Sequence, residues 1–246
     1  MSLLQLEDVS KKFGQVVVGK EISFQLEQGD AVGIVGPNGA GKTSLFAMIS
    51  GDIAPDSGKI IFEGQNLAHL SAAKRARAGI GRTYQVPRPF ENMTVFENAL
   101  VGAQQGAKAR GEKSYALAYE ALERSGLIDM ANRPAGSLGL LHRKRLELAR
   151  AIATSPRVLL LDEIAGGLTD LEVNELTDII RGLRSEGIAV VWIEHVVRAL
   201  VNTVDRLLCL ASGEVVADGE PRVVLASEAV RAVYLGGRAV GIAGTL

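Results

Sequence analysis

The stretch Gly36-Pro37-Asn38-Gly39-Ala40-Gly41-Lys42-Thr43-Ser44 constrains this chain more than any other. It fits the spacing G-x-x-x-x-G-K-[S/T], with the apolar run Ala31–Val35 before it and a helical segment, Ser44–Ile49, after it. Strand, glycine-rich loop and helix in that order form an anion cradle. Gly36, Gly39 and Gly41 let backbone N–H groups converge on phosphate oxygens at the positive end of the helix, with Pro37, Asn38, Ala40 and Ser44 in the same loop. Lys42 is expected to span the β- and γ-phosphates, and the Thr43 hydroxyl to ligate Mg²⁺.

A phosphate cradle alone binds; hydrolysis needs carboxylates. The run Val158-Leu159-Leu160-Leu161-Asp162-Glu163 reads as an apolar strand that delivers Asp162 to the Mg²⁺ shell. Glu163, one residue on, is expected to orient and polarise the attacking water. Three further positions join this expectation. Gln85 follows the first helical region and is expected to reach Mg²⁺ and the water. His195 stands just past a core-strand pattern and is expected at the γ-phosphate, although a lone histidine is more often structural. Phe13 is expected to stack on adenine, although an isolated aromatic is usually core.

The rest of the chain reads as α/β. Ala31–Val35, Val158–Leu161 and Ala189–Ile193 are near-continuously apolar, as strands covered on both faces are. Helical segments separate them, which predicts a parallel core sheet. Val16–Val18, Ile22–Leu26 and the segment 59–64 read instead as half-buried strands of a small antiparallel sheet near the N-terminus. Between roughly 87 and 150 the strand signals fade. There 112–126 carries apolar residues at helical spacing and ends at Gly126, a C-cap signal, while 104–113 reads as an exposed loop. Leu207–Leu210 and Val215–Ala217, joined around Ser212-Gly213, read as a hairpin.

Charge and cysteine content narrow the function. With 27 basic and 28 acidic residues nothing advertises nucleic-acid binding. The cluster Lys74-Arg75-x-Arg77 reads as the solvated end of a short helix. Cys209 is the only cysteine and sits in an apolar run, so it reads as a buried thiol in a reducing compartment. Glu7 interrupts the N-terminal apolar residues too early for a signal-peptide core. No apolar run approaches the roughly 18–20 residues that cross a bilayer, so any membrane role is expected through a partner.

Together these motifs resemble the nucleotide-binding subunit of an ATP-binding-cassette (ABC) transporter over almost the whole chain. The resemblance implies a P-loop NTPase, RecA-like core with an N-terminal antiparallel β-subdomain and an inserted helical subdomain. Residues 1–86 and 151–246 would form the core and 87–150 the insertion, within one domain spanning 1–246. It implies ATP and Mg²⁺, with Gly36–Thr43 as the Walker A loop, Gln85 as the Q-loop glutamine and Asp162 as the Walker B aspartate. Glu163 would be the catalytic glutamate, Gly167–Asp170 the D-loop, His195 the switch histidine and Phe13 the adenine-stacking aromatic. Residues 81–102 and the ending 232–237 are similar to ATPases of branched-chain amino-acid importers; lipopolysaccharide-export ATPases are relatives less like it at 81–102.

The chain departs from the family at the signature loop, usually written LSGGQ, where it has Leu138-Gly139-Leu140-Leu141-His142. The D-loop carries Thr169-Asp170 where Asn-Pro is frequent, and Ile164 stands where proline commonly follows the glutamate. In ABC dimers each nucleotide lies between one subunit's Walker A loop and the other's signature. The signature departure therefore implies a heterodimer with a second ATPase subunit and two unequal ATP sites; the alternative is tolerated variation, since backbone donors do not depend on side-chain identity. The expected setting is the cytoplasmic face of the cell membrane, on two membrane-spanning permease subunits and, indirectly, a solute-binding protein. Urea or amide uptake and lipopolysaccharide export are the alternatives within transport. A soluble repair or translation ATPase would carry a long coiled coil or a second cassette, and a GTPase the base-reading NKxD pattern; this sequence has none of these.

Overall fold

A computed structural model describes residues 2–236 of the chain. In chain order, β1 (Leu4–Phe13), β2 (Val16–Leu26) and β3 (Ala31–Val35) lead through the glycine-rich loop to α1 (Lys42–Ser50). β4 (Ser57–Phe62), β5 (Gln65–Asn66), α2 (Ala72–Ala78) and β6 (Ile80–Arg82) follow. Three helices come next: α3 (Val95–Gln105), α4 (Glu112–Arg124) and α5 (Leu140–Ile152). The chain then alternates through β7 (Val158–Asp162), α6 (Asp170–Ser185), β8 (Ala189–Ile193) and α7 (Val197–Val201). It closes the described region with β9 (Arg206–Ala211), β10 (Glu214–Gly219), α8 (Pro221–Ala226) and α9 (Glu228–Gly236). The ending 232–237 runs past this region at Gly237.

Two sheets result. The first is antiparallel with order β2-β1-β4-β5, and the second has order β10-β9-β3-β8-β7-β6. In the second, β9, β3, β8, β7 and β6 run parallel, and β10 folds back antiparallel at one edge. Every residue of β3, β7 and β8 is buried, which is why these strands lack alternation. One apolar cluster fills the space between the sheets around Phe46 and Met48 of α1. A second lies on the far face of the parallel sheet around Trp192, under α6. Val95, Ala118, Leu122 and Leu146 join α3, α4 and α5 around a third. The C-terminal half of α5, with Leu148 and Ile152, packs instead into the second cluster, so this helix ties the helical arm to the sheet.

Local chemistry sets the helix starts. Thr94 caps α3 through a reciprocal bond with Glu97, and Thr169 does the same for α6 with Glu172.

β1 is a strand that alternation alone misses. Leu4 and Leu6 are buried, but Asp8 has φ 51° and the pairing with β2 shifts there, so the next inward residue is Val9. A bulge that moves the buried set by one residue erases the period of two.

The cluster 74–77 corrects the solvated-helix reading. Lys74 and Arg77 are exposed, but Arg75 is only 2% exposed. Its Nη1 donates to the carbonyls of Met48 and Ile49, its Nη2 to Leu67 and its Nε to Leu70. Two of these acceptors belong to the last turn of α1, where carbonyls lack helical partners and the dipole favours a cation. Arg75 thus fastens the far end of the helix whose near end opens the phosphate loop.

Candidate nucleotide site

The glycine-rich loop lies between the two sheets. A Cβ at Gly36 would fall 2.1 Å from the Leu210 carbonyl oxygen of β9, and one at Gly41 2.1 Å from the Val18 carbonyl oxygen of β2. Gly41 also has φ 104°, a conformation that L side chains rarely adopt. At Gly39 the space is open, so there φ of 78° alone favours glycine. Lys42 begins α1 and is buried; its Nζ donates to the carbonyls of Gly36 (2.7 Å) and Pro37 (3.1 Å). Burial pushes its pKa down, against the pull of Glu163 and Asp162. No carboxylate lies within salt-bridge distance of it among the described residues. A buried ammonium held only by carbonyls, beside the N-terminus of a helix, suits an incoming phosphate. Thr43 is exposed at the same helix start.

Asp162, the last residue of β7, is buried, and burial pushes its pKa up while the Arg82 guanidinium opposes that rise. Its backbone N–H donates to the Thr83 hydroxyl. Glu163 follows with φ 49°, a left-handed turn that breaks strand alternation and aims its carboxylate back over the site. One carboxylate oxygen accepts from the Gln85 side-chain amide, and the other lies 2.9 Å from His195 Nε2. Three residues from three separate loops therefore meet at one carboxylate. The Gln85 amide is engaged with Glu163 here, rather than with Asp162 or Thr43.

Phe13 is 49% exposed at the tip of the β1–β2 hairpin, the hairpin whose Val18 abuts Gly41, so it does not belong to the core. Lys11 Nζ sits 5.3 Å from the centre of its ring. Cys209 is buried and its thiol pushed up to about 11 by burial, the inert state expected of it.

The signature-like loop opens α5. Gly139 is its N-cap with no side-chain hydrogen bond, so the first helical N–H groups are free to face a ligand. Arg143 fixes the loop by donating to the carbonyls of Leu138 (2.8 Å) and Gly136 (2.9 Å). Leu140 is 48% exposed, and its Cδ2 lies against Gly167, where a Cβ would approach it to 3.3 Å. Leu140 of the signature-like loop thus rests on Gly167 of the same chain.

Three charged residues of this neighbourhood escaped sequence reasoning. Lys144 of α5 is buried and donates from Nζ to the Glu163 carbonyl at 3.2 Å. Glu194, at the end of β8, is 1% exposed and accepts from the Ala165 N–H and from Trp192 Nε1. Arg82, at the end of β6, reaches Asp162 at 3.4 Å. Only Glu194 had a signal, an acidic residue set between an apolar strand and His195.

Beside these groups runs an open groove of about 480 Å³, lined by Arg82, Tyr84, Val101, Gly102 and Arg150 among others. The exposed aromatic Phe90 lies under Arg150, whose guanidinium carbon is 5.0 Å from its ring centre. Among the described residues no helix is long and apolar enough to cross a membrane.

Comparisons with known proteins agree on one group. The sequence pattern of the family described as ABC transporter matches residues 19–166. The chain is 35% identical to the high-affinity branched-chain amino acid transport ATP-binding protein LivG of Escherichia coli, covering 95% of this chain and 98% of that one. It is 34% identical, with the same coverage, to BraF of Pseudomonas aeruginosa, which carries the same description. It is 32% identical to the lipopolysaccharide export system ATP-binding protein LptB of Haemophilus influenzae, over 96% of this chain and 98% of the other. A solved ATP-binding cassette of an ABC transporter in its ADP conformation superposes with TM-score 0.89 at 30% identity, covering 96% of this chain and 99% of that one.

Proposed function

The chain belongs to the ABC transporter family and is an ATP-binding, ATP-hydrolysing subunit; from that premise we propose that it drives an importer for branched-chain or related amino acids. The observation that carries hydrolysis is the Glu163 carboxylate, held between Gln85 and His195 beside buried Asp162 and the Lys42 cradle. Lys42 binds the phosphates, Glu163 orients the attacking water and accepts its proton, and His195 and Gln85 hold that carboxylate in place. Asp162 and the Thr43 hydroxyl would hold Mg²⁺, which neutralises phosphate charge when bound. Among the described residues no cluster of three metal-ligating side chains exists. Phosphate oxygens and water would therefore supply the other ligands, as is usual for this ion. Phe13, exposed at the hairpin tip, would stack on adenine.

Two relatives named for branched-chain amino acid transport support the substrate class. The lipopolysaccharide export relative, at 32% identity, keeps export as the second reading. We assign residues 1–86 and 151–246 to the nucleotide core and 87–150 to the helical arm. The groove beside Tyr84 and Phe90 receives a cytoplasmic helix of a membrane-spanning permease subunit, which puts the chain at the cytoplasmic face of the membrane. The second ATPase subunit is a different chain, because the Gly139–His142 loop lacks the serine hydroxyl that serves a partner's γ-phosphate. Reconstitution with the permease and solute-binding subunits tests this: ATP-dependent uptake of a branched-chain amino acid is expected. ATP-dependent release of lipid from the membrane, without amino-acid uptake, would replace it with the export reading.

A further inference from the structure

Arg82 occupies a position that the nucleotide chemistry above does not explain. It ends β6, which runs parallel to β7 in a register that pairs Arg82 with Leu160, two residues before Asp162. Its side chain is only 10% exposed, yet the guanidinium serves two separate carboxylates. Nη1 donates to Asp52 Oδ2 at 2.8 Å and to the Ser50 hydroxyl at 2.9 Å, both at the far end of α1. Nη2 makes the longer contact of 3.4 Å with Asp162 Oδ2. Nε is buried with no acceptor, a donor left over in a site that is otherwise filled. A guanidinium with one close anion, one distant anion and one spare donor is incompletely committed, and a small shift would redistribute it between them.

What lies against it tells which shift matters. The guanidinium carbon is 5.1 Å from the ring centre of Tyr84 and 6.0 Å from that of Phe46. Phe46 is buried in the core and cannot move, whereas Tyr84 is 48% exposed on the groove wall, one residue before Gln85. Tyr84 and Arg82 both line the groove, so a group seated there meets the ring that lies against the cation next to Asp162.

We propose that Arg82 is a positioning residue that divides its charge between Asp52 and Asp162 and so sets how strongly Asp162 holds the divalent cation. Occupancy of the groove shifts that division through Tyr84. The inference rests on the proposed role of Asp162 as a cation ligand and of the groove as the permease contact. Arg82 and a divalent cation are rivals for the same carboxylate oxygen. With the guanidinium drawn toward Asp52 the carboxylate is released to the cation, and with it drawn toward Asp162 the carboxylate is withheld.

The test is made on the full chain without partners, with Mn²⁺ as the probe and a non-hydrolysable ATP analogue, reading free Mn²⁺ by electron paramagnetic resonance. Arg82→Gln removes the rival charge and is expected to tighten Mn²⁺ binding by roughly three- to tenfold, given partial screening at such a site. Asp52→Asn leaves the guanidinium to Asp162 alone and is expected to weaken Mn²⁺ binding by a similar factor. Arg82→Lys keeps the charge and is expected to stay near the parent value. A purely structural role for Arg82 would lower affinity in Arg82→Gln and Asp52→Asn together, and that result, or no change in either, overturns the proposal. Asp162→Asn is the separate control: if it leaves Mn²⁺ affinity at the parent value, the assignment of Asp162 fails instead. With the permease subunits added, Tyr84→Ala is expected to abolish the change in Mn²⁺ affinity that they produce in the parent; an undiminished change overturns the relay.

Discussion

One carboxylate oxygen of Glu163 lies 2.9 Å from Nε2 of His195, across the gap between the ends of β7 and β8. The contact holds the group proposed to accept the water's proton. Glu163→Gln keeps the size and the Gln85 and His195 contacts but cannot accept that proton. Phosphate release is expected to fall by about 10²–10⁴-fold while equilibrium ATP binding stays near the parent value. Hydrolysis at the parent rate in the assembled transporter would remove Glu163 from the role of base.

Lys42 is held charged at a cost in the free chain, and the sign of its pH dependence follows. Its folded pKa is below the unfolded value of 10.5 because burial disfavours the ammonium. Below the folded pKa both states are protonated and the full penalty applies; between the two values the native state sheds its proton first and stability rises with pH. Lys42→Met is therefore expected to melt above the parent near neutral pH without nucleotide, with the gap closing as pH approaches 10.5. Saturating ATP is expected to reverse the order, because only the parent binds it well. Thermal melts across pH, with and without ATP, check both signs.

Arg75 predicts a stability defect remote from the nucleotide. Arg75→Met removes the guanidinium from four carbonyls, two of them buried in the last turn of α1. A loss of about 3 kcal/mol is expected, the order of one or two charged hydrogen bonds. For a chain of this size that lowers Tm by roughly 6–12 °C. A melt within a degree of the parent would show that water or a shifted Lys74 replaces the guanidinium.

Phe90 and Met93 are both exposed, and Phe90 lies under Arg150 of the groove lining. Asn98 holds the Phe90 backbone on both sides, accepting from its N–H and donating to its carbonyl. Phe90→Glu is expected to leave ATP binding by the isolated chain near the parent value while abolishing substrate-stimulated transport, or to prevent assembly. Normal stimulated transport with Phe90→Glu and with Met93→Glu would move the permease contact elsewhere.

Unequal ATP sites give the fifth test, made in the reconstituted transporter. In the proposed heterodimer the site that pairs Lys42 and Glu163 with the partner's signature is expected to be the competent one. The site served by Gly139–His142 lacks one donor, a loss that typically costs about 10²–10³ in rate. Glu163→Gln is expected to remove most activity and the equivalent substitution in the partner little. Equal losses would mean that the backbone donors of α5 suffice despite Leu140 and Leu141.

The sequence was readable where a single local rule decides the outcome. The phosphate loop, the all-apolar β3, β7 and β8, and the β9–β10 hairpin each follow from spacing or burial alone. β1 was hidden by the bulge at Asp8, a local event that breaks the alternation on which strand recognition depends. Arg75, Arg82 and Lys144 were hidden for a different reason. A buried cation and a solvated one look alike in sequence, and only the carbonyls and carboxylates that tertiary packing brings to them tell the two apart.

The close approaches of Gly36 to Leu210 and of Gly41 to Val18 bear on how the chain comes to fold. One neighbour belongs to the parallel sheet and the other to the antiparallel hairpin, so the phosphate loop takes its shape only where the two are already docked. Their strands are separated by most of the chain, β2 ending at Leu26 and β9 starting at Arg206. Contacts between such distant segments carry a large loop-closure cost and form late. Nucleotide affinity is therefore among the last properties a refolding chain regains, after its helices and individual strands have formed. In a cell, ATP would act on a newly made chain as a clasp, fastening the two sheets only once they have met.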